Sequence, residues 1–195
     1  MRNCAQEQDW SRQWEPNDIN RAPARITPVA LGYLGEGQEE ALAATADLLA
    51  AQTQSDQSAR DVSALIALGI RSAIRSRDLR FKKMTQYLPA DRRDEWKKRI
   101  VEAEAATPDK YWDTNKTALG VFQAAVATNA NAEDVQTVLD CAVRAGGQCD
   151  RVAAIAGAWA GARFGSGSVP DWSQRLYGWP CRAPELAAFV IEIKN

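Results

Sequence analysis

Histidine occurs nowhere in the 195 residues. Its absence removes the commonest general base near neutral pH, every Ser-His-Asp or Cys-His arrangement, and most zinc sites. Chemistry here must rest on carboxylates, thiols, lysine, or a hard metal held by oxygen. Cysteine is scarce. Cys4, Cys141, Cys149 and Cys181 form no Cys-x-x-Cys pair, so reduced, partly buried thiols are expected rather than a disulfide frame or a zinc site. Long apolar runs are missing too: nothing approaches the ~18 residues of a membrane span. The opening "MRNCAQEQDW" carries no apolar signal core, which points to the cytoplasm. Charge of one sign is also lacking. The formal net charge is −1, so neither nucleic acid nor a membrane is an expected partner.

What is present is apolar and helix-forming. Hydrophobic residues make up 46%, enough for one folded domain spanning 1–195 with a sizeable core. Residues 1–19 are polar and read as an irregular arm, on which Trp10 and Trp14 are candidate interface residues. "ITPVALGYL" is too short for periodicity to separate strand from buried helical turn. Helices are then expected over 39–51, 59–76, 91–105 and 114–128. Another is expected from Asn131 as N-cap, with Glu133 and Asp134 in its first turn and a buried stripe of Val135, Val138, Leu139, Ala142 and Val143. Gly146 and Gly147 should stop it in left-handed backbone. "VAAIAGAWAGA" is small or apolar on nearly every face, which predicts a central helix over 151–164. "APELAAFVIEIK" closes the chain as a last helix. The expected architecture is an all-α, compact single-domain helical bundle.

Between Arg71 and Arg99 stand eleven basic residues against Asp78, Asp91, Asp94 and Glu95, a local charge of 11 − 4 = +7. Either this is a solvated helical hairpin or it is a docking surface for an acidic or phosphate-bearing partner. The 109–113 loop, Asp-Lys-Tyr-Trp-Asp, is either cleft lining or plain surface. Cys149, at an expected helix start, gains thiolate character there but has no histidine to act as its base.

The run Gly146, Gly147, Gln148, Cys149, Asp150, Arg151, then "VAAIAGAWAGARFG" and "VPDW", resembles the C-terminal signature of the ADP-ribosylglycohydrolase family. That signature reads Gly-Gly-Asp-x-Asp-Thr, followed by an Ala/Gly-rich helix and a Pro-x-x-Trp-like segment. Asn20 and Arg25 before "ITPVAL" resemble the family's Asn-Gly-x-x-Met-Arg stretch. "AAQTQSDQSA" is similar to its Thr-His-x-Asp/Asn turn, with Gln54 at the histidine position. The resemblance runs in order from about Asn20 to Leu176 and implies the C-terminal half of the family's compact helical domain. The family's Thr/Ser-Asp-Asp motif has no counterpart in these residues.

The resemblance implies a cleft where two Mg²⁺, or Mn²⁺, orient a ribose and the attacking water. It places Asn20, Arg25, Gln148, Asp150 and Arg151 as ligand-binding candidates, with Asp150 the one metal-ligand candidate. Gln148, however, replaces an aspartate, and Arg151 replaces a threonine. Mg²⁺ needs anionic oxygens to offset its charge. A guanidinium about 4 Å away costs roughly 4 kcal/mol per unit charge at an effective dielectric near 20, twice that for a divalent ion. Asp150 is therefore expected as a helix N-cap paired with Arg151, and no cofactor is expected. The chain is expected to be a catalytically inactive ADP-ribosylglycohydrolase-like binding protein. Its expected partners are ADP-ribose, an ADP-ribosylated protein, or an ADP-ribosyltransferase toxin that it blocks as an immunity protein or inhibitor. A divergent or split magnesium- or manganese-dependent hydrolase is the alternative, and a purely structural helical domain is a third.

Overall fold

Helix-start chemistry positions most of the elements. The structure, a computed structural model, describes residues 21–178 and 181–194. Trp10, Trp14 and Asn20 lie outside them. A short helix α1 (Arg21–Arg25) leads into a 3₁₀ helix over Thr27–Tyr33, which is what "ITPVALGYL" becomes. Next come α2 (Glu39–Ala51) and α3 (Gln57–Ser76). The Asp56 side chain starts α3 by accepting the Ala59 amide at 2.9 Å. A short α4 (Phe81–Met84) precedes α5 (Arg93–Glu104) and α6 (Ala118–Ala130), which Thr117 caps through the Gly120 amide. Then follow α7 (Val135–Arg144), α8 (Cys149–Phe164) and α9 (Ala183–Lys194). Among the described residues, the β structure is an isolated bridge between Tyr177 and Arg182. No helix among them is long and apolar enough to cross a membrane.

The core is built on α3 and α6. Residues 61–71 of α3 and 120–129 of α6 are buried without interruption, so these two are the central helices. Four aromatic rings fill the space between α4, α5, α6 and α8. Trp159 meets Phe81 at a 59° tilt with centroids 4.6 Å apart, and Phe122 meets Trp159 and Trp96 edge-on at 5.9 and 5.7 Å. Such edge contacts add about 1 kcal/mol each beyond area burial.

Helices α3 and α8 run in the same sense and are pinned at two places. The Trp159 indole donates to the Ile66 carbonyl at 3.2 Å, and the ring lies over Gly69, where a Cβ would come within 2.6 Å of Nε1. Further along, α3 ends at Arg77 in left-handed backbone (φ 56°), and its guanidinium donates to the Ala162 and Arg163 carbonyls at 3.2 Å each. One side chain thus satisfies two of the orphan carbonyls at the end of α8.

Three expectations need correction. The N-cap of α7 is Asp134, which accepts the Thr137 amide at 2.6 Å, not Asn131. Val143 lies on the outside of α7, 62% exposed, and Leu139 is half-buried, so the stripe reduces to Val135, Val138 and Ala142. Helix α8 is flanking rather than central: Val152, Ile155, Ala156, Trp159 and Ala160 are buried, while Ala154 is exposed and Gly157 and Gly161 are half-exposed. Small side chains there mark close approach on one side, not burial on all.

Candidate functional site

The Gly146–Arg151 turn is held from outside by a single buried side chain. Gly146 and Gly147 have φ of +67° and +56°, the left-handed backbone expected of them. A Cβ on Gly147 would overlap Asn115 Oδ1 and the Trp112 carbonyl, so glycine is required there for space as well as for backbone conformation. Asn115, only 1% exposed, donates from Nδ2 to the Gly146 carbonyl at 2.9 Å and accepts the Gln148 amide on Oδ1 at 3.0 Å. It therefore closes both sides of the turn. The polar loop before α6 neither simply lines a cleft nor idles on the surface. Tyr111 is buried in the core while Trp112 is exposed, and the loop's backbone presents Asn115 to the turn.

The N-cap position of α8 belongs to Gln148, whose carbonyl accepts the Arg151 and Val152 amides at 3.1 and 3.3 Å. Asp150 is the second residue of the helix, solvent-exposed, and makes no capping bond. It was expected to cap and to pair with Arg151. Among the described residues, no ion pair joins the two. The side chain of the second helical residue points outward from the first turn, where it meets the positive helix end without closing onto an amide. Arg151 is half-buried beside it, and Cys149 is a half-buried free thiol.

Because α3 and α8 run in the same sense, their N-terminal ends share one end of the molecule. Helix α1 packs against both, and Arg25 Nη2 donates to Thr53 Oγ1 at 3.1 Å just before the cap of α3. Arg25, the 53–56 turn and the 148–151 turn are thus brought to the same end, and Gln54 is buried in that turn. Asn20 lies outside the described residues. The N-terminus of α8 carries no side-chain cap and offers a positive end suited to an anion, whereas that of α3 is already met by the Asp56 carboxylate. Asp150 is the one carboxylate of its turn, and among the described residues no three acidic, cysteine or histidine side chains gather as a metal cage.

The basic segment proves to be largely internal wiring. Arg71, only 5% exposed, pairs with Glu39 at 2.5 Å and donates to the Tyr33 and Gly35 carbonyls. Arg75 pairs with Glu36, Arg80 with Asp78, Lys82 with Glu104, Lys97 with Asp94, and Arg99 with Glu95. Arg92 grips the buried carboxylate of Asp61 with two bonds, at 2.8 and 3.1 Å, and the Trp96 indole and Gln57 amide complete that carboxylate's shell. Arg77 and Arg93 bond carbonyls. Only Lys83 and Lys98 of the eleven have no such partner among the described residues.

Sequence reasoning missed Asn115 and Asp61. Nothing in "DTNKT" signals that its amide reaches a turn thirty residues on. Asp61 sits in an apolar helical pattern whose polar interruption was the available signal. A family model described as ADP-ribosylglycohydrolase matches residues 1–194. No curated protein sequence matches the chain.

Proposed function

The chain belongs to the ADP-ribosylglycohydrolase family, and from that premise we propose that it binds ADP-ribose, free or on a modified protein, without cleaving it. The observation that carries this reading is the 148–151 turn, where an exposed Asp150 is the lone carboxylate between Gln148 and the Arg151 guanidinium. Such a turn favours an anion over a divalent cation: the Arg151 guanidinium and the uncapped N-terminus of α8 suit a pyrophosphate. Arg25, at the same end, is a second candidate contact. A role as an immunity protein that occludes a toxin draws less support, because most of the basic segment that would form the contact is already engaged within the fold.

The test pairs binding with turnover. ADP-ribose is titrated calorimetrically into the protein in chelator, then with Mg²⁺ or Mn²⁺. The expected result is metal-independent binding that Arg151→Ala weakens about ten-fold, the loss of roughly one charge-assisted contact. No ADP-ribose should be released from a modified arginine substrate. Metal-dependent turnover abolished by Asp150→Ala would establish the hydrolase reading instead, and absence of any binding would refute both.

A further inference from the structure

A cavity of about 240 Å³ is lined by the C-terminal half of α3, by α4 and by the 3₁₀ turn that follows α4. It lies away from the 148–151 turn. From Gln57, where α3 starts, to Arg75 is eighteen residues of helix, about 27 Å. Its charged lining is Arg71, Arg75, Arg80 and Lys83 against Glu39, four cations and one acid, so +3. The negative end of α3 offsets about half a unit of that charge and no more. A recess lined by one sign of charge concentrates ions of the other.

The fold uses these cations only in part. Arg71 is committed, with all three of its nitrogens bonded to Tyr33, Glu39 and Gly35. Arg75 donates from Nη1 to the Leu34 carbonyl at 2.5 Å, and its Nη2 lies 3.7 Å from Glu36, a carboxylate so exposed that the pair is weak. Its Nε has no acceptor among the described residues. Arg80 donates from Nε to Asp78 at 2.8 Å, which leaves both terminal nitrogens without an acceptor there. Lys83 has no partner at all among the described residues. These open donors are accessible: the side chains of Arg75 and Arg80 are 40% and 49% exposed, and Lys83 is exposed too.

We propose that this cavity is a binding site for a small phosphate monoester, with the phosphate held by Arg75, Arg80 and Lys83. A carboxylate brings one charge and two oxygens to three cations. A monoester brings nearly two charges and three strong acceptor oxygens, one for each cation. The cavity has room for about eight waters, more than a bare phosphate fills. Leu68, Met84 and the half-buried Tyr87 supply the apolar part of the lining, suited to the organic group.

The test uses the full chain in about 0.15 M salt, where distant surface charges are screened. Glycerol 3-phosphate and phenyl phosphate are the probes, with inorganic phosphate and acetate for comparison, and binding is followed by calorimetry. At least one monoester is expected to bind saturably with Kd near or below about 1 mM, at least as tightly as inorganic phosphate and roughly ten-fold or more tighter than acetate. Lys83→Glu, which removes no bond within the fold, is expected to weaken binding roughly ten-fold or more without moving the melting temperature. Lys98→Glu makes the same charge change at a lysine outside the cavity and is expected to leave Kd within about two-fold. The proposal is overturned by no saturable binding up to about 10 mM, by acetate matching the monoesters, by inorganic phosphate binding about ten-fold tighter than both, or by equal responses to the two lysine variants. The site does not depend on the 148–151 turn, so failure of ADP-ribose binding leaves this result readable.

Discussion

Replacing Asn115 with alanine tests how the Gly146–Arg151 turn is held. The substitution removes one donor to the Gly146 carbonyl and one acceptor from the Gln148 amide. Gly146 and Gln148 are both half-exposed, so water can reach the stranded groups and each loss falls near the low end, about 1 kcal/mol. The buried amide also leaves a small void, worth about 1 kcal/mol more. The sum is about 2–3 kcal/mol, or roughly 5–10 °C in melting temperature for a chain of this length. Calorimetric melting measures the total, and hydrogen exchange at the Gln148 amide localises it. Asn115→Asp keeps the acceptor for Gln148 but buries a carboxylate against the Gly146 carbonyl, so it should lose at least as much as alanine. ADP-ribose affinity should fall with Asn115→Ala even well below the melting range, because the positive end of α8 is no longer aimed. A melting temperature within 1 °C of the parent, or unchanged protection at Gln148, would refute the clamp.

Three further outcomes follow from the packing. Gly69→Ala forces the buried Trp159 ring off the α3 backbone and should cost about 1–3 kcal/mol in chemical denaturation, with a changed indole fluorescence; an unchanged midpoint would show that the ring has room to shift. Asp61→Ala strands Arg92 and the Trp96 indole together and should cost about 3–5 kcal/mol, reduced somewhat by the partial exposure of Arg92; a loss under about 1 kcal/mol would contradict the network. The Thr137 amide holds the Asp134 carboxyl below the usual carboxylate range. The stability it contributes is present above its unfolded value near pH 4 and is lost as pH falls through the lower folded value. Asp134→Asn keeps the cap and should flatten the stability profile in that window; an identical acid limb in both proteins would rule out this origin.

Legibility varied with the range of the interaction. Helices set by local pattern were readable: α2 and α9 fall on the expected residues, and α3 and α5 within two. The start of α7 was not, because Asn131 and Asp134 are both good caps, and only the tertiary position of the chain selects Asp134. Val143 continued the apolar period beyond the part of α7 that meets the core. At the site, the left-handed glycines and the position of the turn could be read from sequence. The clamp by Asn115 could not, since no local pattern encodes a contact across thirty residues. Counting charge within 71–99 was misleading for the same reason: Glu36, Glu39, Asp61 and Glu104, which neutralise four of those cations, all lie outside that window.

The double fastening of α8 to α3, by the ring over Gly69 and by the Arg77 fork, makes the pair behave as one strut. A helix held at one point can twist or creep along its neighbour. Held at two, it can only carry load from end to end. The spacing between the 53–56 turn and the 148–151 turn is therefore set by that paired rod, and the left-handed residues Gly146 and Gly165 lie just outside it at either end of α8.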